Sequence, residues 1–253
     1  YDNQPVLGFA LPLFNCYVET QDYKSAEKLM KKEMRKYPDN QVLGIELGKM
    51  FKRKGDEKKA RSTWDDVVDN VPANRNQVIQ IARKFSSIPE YEYALKVYEK
   101  GKRDLSDFYA FNFEIADIYG LLGQRDRMID MYLEMLDYNP GYMQTVQNLL
   151  NRNIDFEDDI ESMELLRTRL LRFIQQQPDQ KLYPELLIWL YIQQRDFYGA
   201  YTQVKALDRR FNEDGFRIMG LAEIAASNEA YDVAASAYEA VVKKGESTPY
   251  YME

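Results

Sequence analysis

Asp155, Glu157, Asp158 and Asp159 crowd four carboxylates into five positions, the density at which oxygen ligands for a hard cation would be sought. The run lacks the alternating ligands and central glycine of a calcium loop. It reads instead as a solvated loop ahead of a helix N-terminus, where negative charge is favoured. Asp65 and Asp66 are adjacent carboxylates, but neighbours on a helix point to different sides and cannot act as an acid/base couple. Histidine is absent from all 253 residues, and Cys16 is the single cysteine. That removes Ser-His-Asp and Cys-His catalysis, histidine-ligated zinc or iron, and a cysteine-rich metal centre. No glycine-rich phosphate loop of either common type occurs. The expectation is a non-enzyme with no catalytic, cofactor-binding or metal site, and the chemistry left to it is binding.

The bulk properties narrow what it could bind. A net charge of −7 and a pI near 5.0 oppose nucleic acid and anionic membranes, which need a basic footprint. The longest apolar run, Val6 to Phe14, is broken by Pro12 and falls short of the roughly 18 residues of a membrane span. One cysteine cannot form an internal disulfide, so thiol usage fits an exported bacterial protein and a cytoplasmic one equally. The chain begins at Tyr1, which reads as a trimmed start. Ser247-Thr248-Pro249 reads as a cap and first helical turn, with residues 249–253 opening a further helix. The expectation is one continuous domain over residues 1–253, cut from a longer repeat protein.

The elements that position these residues follow a period of 34. Units start near Leu7, Gln41, Arg75, Tyr109, Met143, Lys181 and Gly215, the fifth being about four residues longer. Position 7 is aliphatic in all seven: Leu13, Leu47, Ile81, Ile115, Leu149, Leu187 and Leu221. Position 20 holds Ala26, Ala60, Ala94, Met128, Leu166, Ala200 and Ala234. Large residues recur at position 11 (Tyr17, Phe51, Phe85, Tyr119, Tyr191) and at position 24 (Met30, Trp64, Tyr98, Tyr132). A unit of this length cannot bury its apolar face alone, so copies must stack.

Within a unit the apolar spacing is three to four, as a helix requires. Leu43, Leu47 and Phe51 share one helical face, and Ala60, Trp64, Val67 and Val68 another. Between them Gly55 suits a left-handed helix end and Asp56 an N-cap, and Asp22 and Asp196 recur at the same place. Pro38, Pro72, Pro140 and Pro178 stop the second helix. The insertion around Ile154 to Ile160 lengthens a loop or a helix and makes the fifth unit the place for a change of pitch.

With Leu47, Gly48, Phe51, Ala60, Trp64, Val67 and Pro72 in register, the pattern resembles the tetratricopeptide repeat family over about residues 7–248. The resemblance implies an all-α, right-handed α-solenoid of stacked antiparallel helix pairs. Asn153 and Leu166 depart from it, standing where tyrosine and alanine are usual.

The same resemblance implies a non-catalytic scaffold that holds a protein or peptide in a concave groove lined by the first helix of each pair. The positions that make contact in the family fall here on Asn15, Lys49, Lys52, Arg53, Arg83, Asp117, Asn151, Glu185, Trp189 and Glu223. Such a groove would be basic in the first half and acidic in the second, orienting a peptide of complementary charge. Trp189, hard to explain as core, is the best single contact. Asn15 and Lys49 match only part of the carboxylate-clamp set, so a chaperone C-terminus is not implied. A nucleic-acid-binding repeat of the pentatricopeptide or half-a-tetratricopeptide type shares the period, but recurring proline and acidic charge oppose it. A regulatory arm of a larger enzyme or envelope assembly fits the same pattern.

Overall fold

The structure, a computed structural model, describes residues 7–245, and among them only helices and loops occur. The further helix expected over 249–253 lies outside the described residues. The chain divides into two compact units, Tyr1–Gln124 and Arg125–Glu253.

The N-terminal unit holds α1 (Leu7–Glu19), α2 (Tyr23–Lys36), α3 (Gln41–Arg53), α4 (Glu57–Asp69), α5 (Arg75–Ser87), α6 (Tyr91–Asp104) and α7 (Asn112–Leu121). In it α1 packs on α2, α3 on α4 and α5 on α6. The C-terminal unit holds α8 (Arg125–Tyr138), a 3-10 turn (Pro140–Tyr142), α9 (Met143–Asn153), α10 (Ile160–Gln176), α11 (Leu182–Gln193), α12 (Phe197–Phe211), α13 (Phe216–Ser227) and α14 (Tyr231–Val242). There α11 packs on α12 and α13 on α14.

The turns within the pairs repeat one device. Gly55 takes a φ of 86°, and Gln21, Arg195 and Glu229 occupy the same left-handed region at the same place in their repeats. The next residue then caps the second helix: Asp22, Asp56 and Asp196 accept the amides of Ser25, Lys59 and Gly199 at 3.1, 3.2 and 2.8 Å. Such a turn reverses the chain in about three residues and leaves the two helices antiparallel.

Close approach follows from small side chains. All seven residues of the alanine column are buried. Gly48 lies directly beneath Trp64, where any Cβ would collide with the indole. Trp64 Nε1 can therefore donate to the Ile45 carbonyl at 3.1 Å. The indole edge meets Tyr93, and Phe85 stacks on Tyr93 with centroids 5.4 Å apart, joining two repeats in one aromatic core.

The fifth repeat differs as its sequence does. The insertion is shared between a six-residue loop and a longer α10, and α9 and α10 approach each other far less than α1 and α2, α3 and α4, α5 and α6, α11 and α12 or α13 and α14 do. Leu166, at the position of the alanines, holds them apart, and α10 packs on α8 and α11 instead. Asn153, at the aromatic position, donates to the Tyr132 hydroxyl at 3.1 Å and to the Leu149 carbonyl.

One column is out of register. Leu13 is 45% exposed, whereas Phe14 and Val18 are 2% and 7% exposed, so α1 buries the next residue along. Phe14 offers more apolar area than Leu13, and Pro12 inside the helix breaks the hydrogen-bond ladder just ahead.

Two outcomes follow. Trp64→Ala removes the indole from the joint of two repeats and should cost about 3–5 kcal/mol, read as a lowered denaturation midpoint. Burial, with Asp65 and Glu114 respectively, pushes the Tyr93 and Tyr98 hydroxyls up to about 12 from 10. The fold thus favours the neutral phenol. The stability they hold should be complete below pH 10 and drain away as pH rises through about 12, in step with phenolate absorbance.

Candidate functional site

In the N-terminal unit the family's contacting positions are occupied by charges already partly spoken for. Arg53 forms a two-pronged bond with Glu19 at 2.5 and 2.9 Å. That contact holds the Glu19 carboxyl below its ordinary range and lifts the guanidinium above its own. Lys52 pairs with Glu90 at 2.5 Å and lies 5.9 Å over the Trp64 ring. Asn15 is exposed on α1. Lys49 and Arg83 are exposed and, among the described residues, have no ion-pair partner. Arg83 and Asp117 both act on the Tyr98 hydroxyl, with opposite signs.

In the C-terminal unit Asn151 and Glu223 are exposed, on α9 and α13. Trp189 is half-buried, and its ring meets Phe156 of the insertion loop edge-on, with centroids 5.4 Å apart. The loop that carries the acidic run therefore folds onto the tryptophan. Asp155 braces that loop by accepting the Glu157 amide at 2.9 Å, and Asp159 caps α10 through the Ser162 amide. Glu185 bonds Arg217 at 2.6 Å, and Arg217 reaches Glu213 at 2.8 Å. Among the described residues no group of three or more acidic or thiol side chains is arranged to hold a metal ion.

Beside that ion pair lies a cleft of about 210 Å³ between α11 and α13. Ile188 and Ile192 of α11, Gly220, Leu221 and Ile224 of α13, and Val204 of α12 line it. Phe216 stands at the rim, 60% exposed, and Ile224 is 39% exposed. The fold is all-helical, built of neighbouring helices packed in antiparallel pairs. No family model matches the chain, and no curated protein does. Solved structures to which it is similar include a tetratricopeptide repeat protein from Parabacteroides merdae, 17% identical, covering 97% of this chain and 94% of that one, with a TM-score of 0.33. A thermophilic TPR protein of Thermus thermophilus is 16% identical over 68% of this chain and 92% of its own, with a TM-score of 0.34. A third, YrrB, described as a TPR protein with an unusual peptide-binding site, is 14% identical over 72% of this chain and 91% of its own, with a TM-score of 0.33.

Of the residues expected at the site, Glu185 alone lines the cleft; Ile188, Ile192, Phe216, Gly220 and Ile224 were not anticipated. The signal lay in α11, LYPELLIWLYIQ, which is apolar all the way round. Such a helix is either buried on every side or shows an apolar face to a cleft.

The Phe156 contact can be checked with fluorotryptophan. Phe156→Ala should move the Trp189 resonance toward its solvent-exposed value and leave that of Trp64 in place. An aromatic pair of this kind is worth about 0.5–1.5 kcal/mol, so the denaturation midpoint should fall only slightly.

Proposed function

We propose that this protein is a non-catalytic interaction module that holds a protein or peptide segment on the faces of its first helices. The observation that carries the reading is the apolar cleft between α11 and α13, where large aliphatic side chains stay in contact with water while Val204 and Leu221 of the same lining are buried. Exposed apolar surface rimmed by polar groups marks interaction sites on soluble proteins. Charges on the first helices add to it: Lys49 and Arg83 in the N-terminal unit have carboxylates to gain, and an acidic segment supplies them.

Charge reversal tests the polar part. Lys49→Glu combined with Arg83→Glu disturbs no ion pair among the described residues, unlike reversal of Lys52, which would set a second carboxylate against Glu90. The double variant should keep its denaturation midpoint within about 0.5 kcal/mol and lose retention of its partners in pull-downs from the source cells. An unchanged set of partners at unchanged affinity removes the N-terminal unit from the binding face.

A further inference from the structure

We infer that the cleft between α11 and α13 is a socket for one large apolar side chain of a bound peptide, with a basic residue beside it. The inference rests on the interaction-module reading and supplies its ligand chemistry.

The first observation is Gly220. Glycine inside a helix weakens it relative to alanine, so its presence calls for a reason. Gly44, Gly48 and Gly101 have one, since a Cβ at each would strike a side chain of this same chain. Gly220 has none of that kind: a Cβ there would meet nothing within 4 Å among the described residues. It nonetheless lines the cleft, in the wall between Phe216 and Ile224. A glycine that no described neighbour requires, lining an open apolar cleft, leaves room that no described residue fills.

Size and charge say what. Aliphatic cavities of about 150 Å³ take a benzene ring, so about 210 Å³ accommodates the side chain of leucine or phenylalanine. Glu185 and Arg217 line the cleft and bond each other, and Glu213, outside the lining, bonds Arg217 and Lys181. A further carboxylate on α13 has no such partner. It is Glu223, exposed, one residue before Ile224 of the lining and without an ion pair among the described residues. A lysine or arginine adjacent to the buried apolar side chain completes the charge balance.

The test uses the whole chain with labelled isoleucine methyl groups and pools of short synthetic peptides. Each pool fixes one central residue as leucine, phenylalanine or serine and its neighbour as lysine or glutamate. Leucine and phenylalanine pools beside lysine should shift the Ile188, Ile192 and Ile224 resonances, binding roughly tenfold tighter than their serine or glutamate counterparts. Gly220→Ala should raise the thermal midpoint while weakening those same pools, a pair of effects that a purely structural glycine would not give. Glu223→Gln should erase the preference for lysine over glutamate and keep that for leucine over serine. Pools that bind but shift only isoleucines away from the cleft overturn the socket and leave the interaction module standing. Gly220→Ala binding every pool as tightly as the native chain also overturns the socket. If no pool shifts any resonance, the socket falls together with the peptide reading.

Discussion

The fold depends on how closely the second helix of a repeat can lie against the first. An alanine at the crossing, or a glycine beneath an indole, sets the two backbones near enough for large neighbours to close over the contact. Ala60 and Gly48 do this for Trp64, and the indole then reaches a backbone carbonyl on α3 and the rings of the next repeat. That repeat is thus held by its own crossing and by one large side chain lent to its neighbour. The fifth repeat shows the converse. With Leu166 at the crossing, α9 and α10 stay apart, and the polar Asn153 replaces an aromatic that would have had little to pack against.

The period also governs the charges. Arg53 with Glu19, Lys52 with Glu90, Lys96 with Asp65 and Arg169 with Asp130 are separated by 34, 38, 31 and 39 residues. Corresponding helices of successive repeats stand side by side, so residues about one period apart meet. Exposed pairs of this sort contribute little to stability singly. Their effect is on what the surface offers a partner, since Lys52 and Arg53 arrive already neutralised while Lys49 and Arg83 do not.

Much of the architecture was legible because it is written seven times. Columns that agree across repeats, such as the alanines from Ala26 to Ala234, survive the failure of any one member. Leu13 is such a failure: aliphatic in the right place, yet Phe14 beside it buries better once Pro12 has disturbed the helix. The candidate site was less legible because it is written once. A residue that contacts a neighbour one period away, as Glu90 does, carries no mark of it in its own repeat. The Phe156–Trp189 contact depends on the course of an insertion for which the other repeats supply no template. Gly220 could not be told from the packing glycines until the space around it was known.

Core packing and the cleft therefore fall on different sides of the same helices. The first helix turns one stripe toward its second helix, and there Leu47, Ile81, Leu187 and Leu221 are buried. Its other stripe stays outside that contact, so it can carry lysine in one repeat and isoleucine in another at little cost to the core. In α13 the two stripes are only three residues apart: Leu221 closes the core, and Ile224 stands in the cleft. A change at Leu221 must be felt by both, whereas a change at Ile224 or Glu223 reaches the surface alone. A repeat protein can in this way alter what it binds one helix at a time while the alanine crossings remain untouched.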